Sequence, residues 1–397
     1  MAQIKPDVET FAKIKVVGVG GSGCNAISRM MACKIQGVDF VAVNTDAQDL
    51  HHATAPEKIH IGKNLTRGLG AGMDPEIGRQ AAEENRDELH EVLKGSDMVF
   101  VTCGMGGGTG TGAAPIIAET AKDSGALTVA VTTKPFAFEG AQRGQIAEEG
   151  LLSLRDRVDT LITIPNDRLL PMIDRKISLL NAFGMVDDIL RQAVQGISDL
   201  VIHPGIVNVD FADVRTIMQD SGSALMGIGR ATGEDRSAEA AKAAINSPLL
   251  EISVDGARGV LFNVSGGSDL AMSEINEAAK IITESIDPQA KVIFGALVND
   301  KLKKGEIKVT VIATNFENGG TLKKSEQSSA DTVHDMSDIN RSPSAEKEVN
   351  IKPTPEARPL DKDKNIKKET SSPDIAKDDQ EEDEWDIPAF IRKKIGK

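Results

Sequence analysis

Residues 98–114 read MVFVTCGMGGGTGTGAA. A short apolar run, Val99–Cys103, stops at Gly104. Gly106, Gly107, Gly108, Gly110 and Gly112 follow, broken by Thr109 and Thr111, and helix-forming residues resume at Ala113. Glycines at this density cost chain entropy and add nothing to a packed core. The expectation is therefore backbone that must approach a ligand closely, with N–H groups converging on an anion at a helix start. No lysine completes a GxxxxGK[ST] pattern, so the cradle is not of the Walker type. The plain alternative is a flexible surface linker, and the position between a buried strand and a helix argues against it.

The segments around this loop alternate. Ile14–Gly20 reads as a buried strand, and a helix from Gly23 carries Ile27, Met30, Met31 and Ile35. Phe40–Val43 is a strand, Pro75–Lys94 one long polar-faced helix, Met98–Thr102 a strand and Ala113–Lys122 a helix. Leu127–Thr132 and Thr160–Ile164 are strands flanking a helix over Gln142–Leu154. Apolar strands alternating with helices predict a doubly wound parallel sheet, whose ligands gather at the carboxyl ends of the strands. Ile177–Ile202 reads as one long central helix with Leu179, Leu180, Phe183, Val186, Ile189, Leu190, Val194 and Ile197 on its apolar face. A smaller α/β region with a mixed sheet follows: strands at Ala224–Ile228, Gly259–Val264, Val292–Val298 and Ile307–Ala313, helices at Ala238–Asn246 and Met272–Ser285. The expected partition is 12–176, a Rossmann-like nucleotide domain; 177–203, the central helix; and 204–316, the second α/β domain.

After Phe316 the composition changes. Residues 317–397 carry 15 basic and 19 acidic side chains and no aromatic before Trp385. This mixture predicts a disordered linker over 317–383. Residues 384–397 end in WDIPAFIRKKIGK, where Trp385, Ile387, Phe390 and Ile391 are too apolar for a solvating tail. They read as a peptide that orders in a partner's groove.

Composition narrows the remaining classes. The 397 residues are 40% hydrophobic, enough for a sizeable core, and no apolar run reaches a membrane span. The N-terminus lacks signal-peptide character, so a cytoplasmic protein is expected. Cys24, Cys33 and Cys103 form no paired framework and, with six histidines, no zinc spacing. A net charge of −14 argues against nucleic acid as a partner.

A second glycine run, Gly18-Val19-Gly20-Gly21-Ser22-Gly23, matches GxGxxG, with Asp39 and Asp46 near the spacing of a ribose contact. Alone it suggests a dinucleotide-binding oxidoreductase. Two glycine cradles at neighbouring strand ends instead suit one mononucleotide triphosphate, and Leu69-Gly70-Ala71-Gly72 is positioned to close a third side.

Together these motifs carry a resemblance. GGGTGTG (Gly106–Gly112), GVGGSGCNA, NTDAQ (Asn44–Gln48), TRGLGAG (Thr66–Gly72) and NVDFADV (Asn208–Val214) resemble, in order, the tubulin/FtsZ family of GTPases, and within it the bacterial cell-division proteins. The resemblance covers about residues 12–316 and returns at WDIPAFIRKK. It implies GTP and Mg²⁺ as ligands. Gly21, Ser22, Gly23, Cys24 and Asn25, with Gly108, Thr109 and Gly110, would hold the phosphates. Met105 and Gly107 would border them, and Ala71 and Gly72 would face the γ-phosphate. Glu139 and Arg143 match ribose- and phosphate-side contacts, Asn166 and Asp187 the guanine readers, and Phe183 the stacking ring. A carboxylate such as Asp187 accepts from both N1–H and the exocyclic amine of guanine, an edge that adenine lacks. Cys24, beside the phosphates on this reading, is expected to make nucleotide binding sensitive to thiol reagents.

Read in isolation, Asp210 before FADVRTIM is a helix N-cap, with Asp213 in an acidic first turn. By the resemblance, Asn208, Asp210 and Asp213 reach the nucleotide of the next subunit and position the attacking water. Such a split site builds a head-to-tail homopolymer. The implied function is a polymerising GTPase that scaffolds the division ring at midcell and engages a membrane adaptor and division proteins through Trp385–Lys397. The alternatives are a tubulin-like filament with little turnover and the Rossmann oxidoreductase.

Overall fold

The structure, a computed structural model, describes residues 12–172, 177–203, 205–250, 253–299 and 302–316. The linker expected at 317–383 and the peptide at 384–397 lie outside the described residues. The chain opens with β1 (Ile14–Val19), α1 (Gly20–Ala32), β2 (Val38–Asn44), α2 (Ala47–His52), β3 (Glu57–His60) and α3 (Lys63–Thr66). It continues through α4 (Pro75–Glu84), α5 (Arg86–Leu93), β4 (Met98–Gly104), α6 (Thr109–Asp123), β5 (Leu127–Lys134), α7 (Ala141–Arg155) and β6 (Thr160–Pro165). Then come α8 (Leu179–Ile202), α9 (Phe211–Met218), β7 (Gly222–Thr232), α10 (Arg236–Ile245), β8 (Ala257–Gly266), α11 (Met272–Glu284), β9 (Lys291–Val298) and β10 (Glu306–Phe316).

The strands join in the order β3-β2-β1-β4-β5-β6-β7-β10-β8-β9. All neighbours are parallel except where β10 runs antiparallel to β7 and β8. The first six strands meet the last four through a short parallel seam, Thr160↔Gly222 to Ile162↔Ala224. Side chains alternate across this sheet as a two-residue period requires. Ile14, Val16, Phe40, Met98 and Phe100 pack on one face with α1 and α8. Val17, Val19, Val41, Val99 and Val101 pack on the other with residues of α4, α5, α6 and α7. Both faces are covered, so the fold is doubly wound, as the continuous apolar strands predict.

Two expectations are corrected here. The helix expected at Pro75–Lys94 is two helices broken at Asn85, whose φ and ψ are −108° and 21°. Asn85 spends its side chain elsewhere: Oδ1 accepts from the Gly62 N–H at 3.0 Å and Nδ2 donates to Glu88 at 2.9 Å. A side chain bonded this way competes with the helix's own ladder. The helix after the glycine run starts at Thr109 rather than Ala113. Its glycines do serve packing: a Cβ on Gly112 would stand 1.9 Å from the Pro75 carbonyl, and one on Gly78 would stand 2.3 Å from the Gly108 carbonyl. α4 and α6 therefore touch backbone to backbone.

Candidate functional site: a phosphate cradle at the strand ends

A cavity of about 320 Å³ opens at the carboxyl ends of β1, β4 and β5. Two helix N-termini form its floor. α1 begins at Gly20 and α6 at Thr109; neither has a side-chain cap or an acidic residue in its first turn. Their first N–H groups and partial positive charges are left for something in the cavity. Gly20, at φ 71°, brings the two helices together, since a Cβ there would lie 3.0 Å from the Gly110 nitrogen.

The third side is closed by Gly72, at the end of a turn over residues 67–72. Arg67, Gly68, Gly70 and Gly72 all have positive φ, and the turn is tied down where Gly108 donates to the Gly72 carbonyl at 2.8 Å. The remaining wall comes from α7 and α8, from residues 135–139 that lead into α7, and from Asn166 after β6. Glu139 pairs with Arg143 at 3.1 Å and its Oε1 accepts from the Phe136 N–H at 2.9 Å. Phe183 meets the buried Phe136 edge-on, with ring centroids 5.6 Å apart, and offers its remaining surface to the cavity. Asn166 Oδ1 and Arg143 Nε are buried without a hydrogen-bond partner. Orphaned polar atoms on a cavity wall mark where a ligand's donors and acceptors belong. Burial pushes the half-buried Asp187 carboxyl up to about 6, partly opposed by Arg29.

Of the residues singled out from sequence, Gly21, Ser22, Asn25, Gly72, Met105, Gly107, Gly108, Thr109, Gly110, Glu139, Arg143, Asn166, Phe183 and Asp187 line this one cavity. Gly23, Cys24 and Ala71 do not. Gly23 packs against β4, where a Cβ would stand 2.6 Å from the Thr102 carbonyl. Cys24 turns onto β2, its Sγ 4.0 Å from the Val43 carbonyl, and burial pushes its thiol up to about 12. A buried, protonated thiol is a poor nucleophile, which argues against the expected sensitivity to thiol reagents at this residue. Ala71 is buried behind Gly72. Thr133, Pro135 and Val186 also line the cavity and were not picked out. Thr133 is the next-to-last residue of β5 and Pro135 lies just beyond it, where the strand-end rule points; Val186 is one helical turn from Phe183.

Asn208, Asp210 and Asp213 are not on this wall. Gly37, just before β2, packs against Ile202 at the end of α8. Arg215 of α9 donates to the Gly125 carbonyl ahead of β5, and Thr160 at the start of β6 donates to the Met218 carbonyl. All three contacts lie at the amino ends of the strands. α8, 24 residues and so about 36 Å long, thus runs from the cavity to the opposite end of the sheet. Asp210 holds the N-cap position of α9 by backbone alone: its carbonyl accepts from Asp213 and Val214, but its side chain makes no cap hydrogen bond. Both carboxylates and Asn208 are exposed, and Asn208 Oδ1 accepts from the Gly205 N–H at 2.6 Å.

Residues 13–174 match the tubulin/FtsZ family GTPase domain, and residues 222–317 match the FtsZ family C-terminal domain. A solved FtsZ dimer from M. jannaschii is 46% identical, with a TM-score of 0.74 over 77% of this chain and 88% of its own. The chain belongs to the tubulin/FtsZ family. CetZ2 from Haloferax volcanii shares the fold, at 22% identity and a TM-score of 0.66 over 76% of this chain and 92% of its own. Among the described residues, no group of three or more His, Cys, Asp or Glu side chains is arranged to hold a metal ion. An Mg²⁺ ion entering with a nucleotide would have to be held chiefly by the nucleotide's own phosphates. No helix among the described residues is long and apolar enough to cross a membrane.

Proposed function

We propose that the protein is a GTP-hydrolysing filament subunit whose active site forms between two copies. GTP lies in the cavity, with its phosphates on the N-termini of α1 and α6 and its guanine between Phe183, Asn166 and Asp187. Asn208, Asp210 and Asp213 of the next copy position the attacking water. Mg²⁺, when bound with the nucleotide, neutralises developing phosphate charge; the protein's share is positioning and electrostatics.

The observation that carries this reading is the separation of the two half-sites along α8. From the cavity residue Asp187 to Ile202 the helix spans about 23 Å, so carboxylates beyond its far end cannot reach the cavity of their own chain. A contact joining one end of the molecule to the other end of its neighbour does not close on itself and propagates as a filament. Exposed apolar side chains support such a contact at both ends. Leu69, Phe138 and Leu180, each within three residues in sequence of one that lines the cavity, are 85%, 61% and 81% exposed, and Ile206, two residues before Asn208, is 58% exposed. The relative described as an FtsZ dimer supports self-association.

On this reading the filament scaffolds a division ring at midcell from the cytoplasmic side, and the tail Trp385–Lys397 engages a membrane adaptor and division proteins. The test is GTP turnover against protein concentration, with sedimentation in parallel. Turnover is expected to be negligible below a threshold and then to rise linearly with pelleted protein. Turnover proportional to concentration from zero would remove the shared site.

A further inference from the structure

Thr45 lies just past the end of β2, fully buried, and no wall of the cavity includes it. Its hydroxyl oxygen is nevertheless 2.6 Å from that of Thr109, the first residue of α6 and a cavity residue. Its carbonyl lies 3.2 Å from the Thr66 hydroxyl, which shares its proton between that carbonyl and Gly62's at 3.1 Å, and Thr66 in turn accepts from the Gly68 N–H at 3.3 Å in the turn that leads to Gly72. One buried residue therefore joins the strand end, the glycine loop and residues 66–72.

A hydroxyl carries one proton. When Thr109 donates that proton to a phosphate oxygen, its bond to Thr45 survives only if Thr45 donates to it. The anion thus sets a direction along the pair: Thr45 O–H to Thr109, Thr109 O–H to phosphate. Hydrogen bonds in such a chain polarise and strengthen one another, more so where water is excluded. Thr45 also holds the Thr109 side chain in one rotamer, sparing the loss of that freedom on binding.

We propose that Thr45 is a positioning residue for phosphate recognition, acting through Thr109 by fixing its rotamer and making it a hydrogen-bond donor toward the nucleotide's phosphates. This rests on the nucleotide site proposed above. It makes a distinction the cavity wall alone does not: a residue that never touches the ligand discriminates between the phosphorylated and unphosphorylated forms of one nucleoside.

The test uses the full chain freed of nucleotide and measures the Kd of GDP and of guanosine by competition against a fluorescent GDP. Thr45→Val keeps the volume and removes the hydroxyl. It should weaken GDP about tenfold, the worth of roughly one hydrogen bond, while guanosine stays within about twofold. Thr45→Ser should restore GDP binding. In a Thr109→Val background, Thr45→Val should have no further effect, because the residue it acts through is gone. Equal weakening of GDP and guanosine, no weakening of either, failure of Thr45→Ser to rescue, or additive losses in the double variant would each overturn the proposal. If Thr45→Val does not fold, Thr45→Ala removes the same hydroxyl and takes its place in every comparison. If the unsubstituted protein binds neither ligand, the nucleotide site itself is refuted and this proposal with it. Normal binding by the unsubstituted protein with an unchanged Thr45→Val refutes the relay alone.

Discussion

On the proposed guanine contact, the Asp187 carboxyl should make the protein's affinity for guanine a function of pH. In the nucleotide-free chain, burial pushes this group up to about 6. The ionised form accepts from both guanine donors, and the protonated form does not. At pH 7 the ionised form exceeds the protonated form about tenfold, and at pH 5 the ratio is reversed. Guanine binding should therefore weaken about tenfold from pH 7 to pH 5. A terminal phosphate titrates in the same range, so the comparison that matters is with Asp187→Asn. That variant keeps the phosphate's share of the pH dependence and loses the carboxyl's.

Stability runs the other way. A carboxyl whose folded pKa lies above its unfolded value destabilises the fold at neutral pH, and the penalty fades as pH falls from about 6 toward 4. The rise from the ordinary carboxylate value to about 6 corresponds to about 3 kcal/mol, reduced to about 1 to 2 kcal/mol by the side chain's partial exposure. Asp187→Asn should raise the unfolding midpoint of the nucleotide-free protein at pH 7.5 and leave it unchanged near pH 4. Calorimetric titration with GDP from pH 5 to 7.5, with thermal unfolding on the same samples, measures both effects. A variant with the pH profile of the unsubstituted protein, or one less stable at pH 7.5, would refute the assignment.

Gly112→Ala should destabilise the protein by about 1 to 3 kcal/mol in urea unfolding, because its Cβ would meet the Pro75 carbonyl. Gly107→Ala, with nothing within 4 Å of its Cβ, should leave stability within about 1 kcal/mol of the unsubstituted protein and change GDP affinity instead. Cys33 is exposed, whereas Cys24 and Cys103 are buried with thiols pushed up to about 12. Ellman's reagent on the native protein should find one fast thiol and leave GDP affinity unchanged; Cys33→Ala should abolish the fast phase. Asp213→Ala should bind GTP and pellet normally while turnover falls about a hundredfold, the range for losing one positioning group. Normal turnover would remove Asp213 from the chemistry.

The parallel core was legible because β1, β4 and β5 are buried on both faces and so read as unbroken apolar runs. The cradle was legible because its glycines sit where such strands end. What escaped has physical reasons. β3 is four residues at the sheet's edge, EKIH, too short and polar for a period to register. The break at Asn85 depends on a bond to Gly62, a partner 23 residues away. Gly23 and Cys24 follow Ser22 directly, yet a helix sends successive side chains about 100° apart. Residues 21, 22 and 25 therefore reach the cavity and 23 and 24 turn inward. Helical phase, applied one residue at a time, would have separated them.

α8 also limits how the chain can vary. Surface loops in this fold can lengthen at little thermodynamic cost, because closure entropy grows slowly with length. The stretch from Asp187 to Ile202 has no such latitude. One residue inserted there would turn everything beyond it by about 100° and advance it about 1.5 Å. Either Asp187 would leave the cavity or the helix end would lose its seat against Gly37. The helix acts as a gauge block, fixing the interval from the cavity to the opposite end of the sheet in every copy.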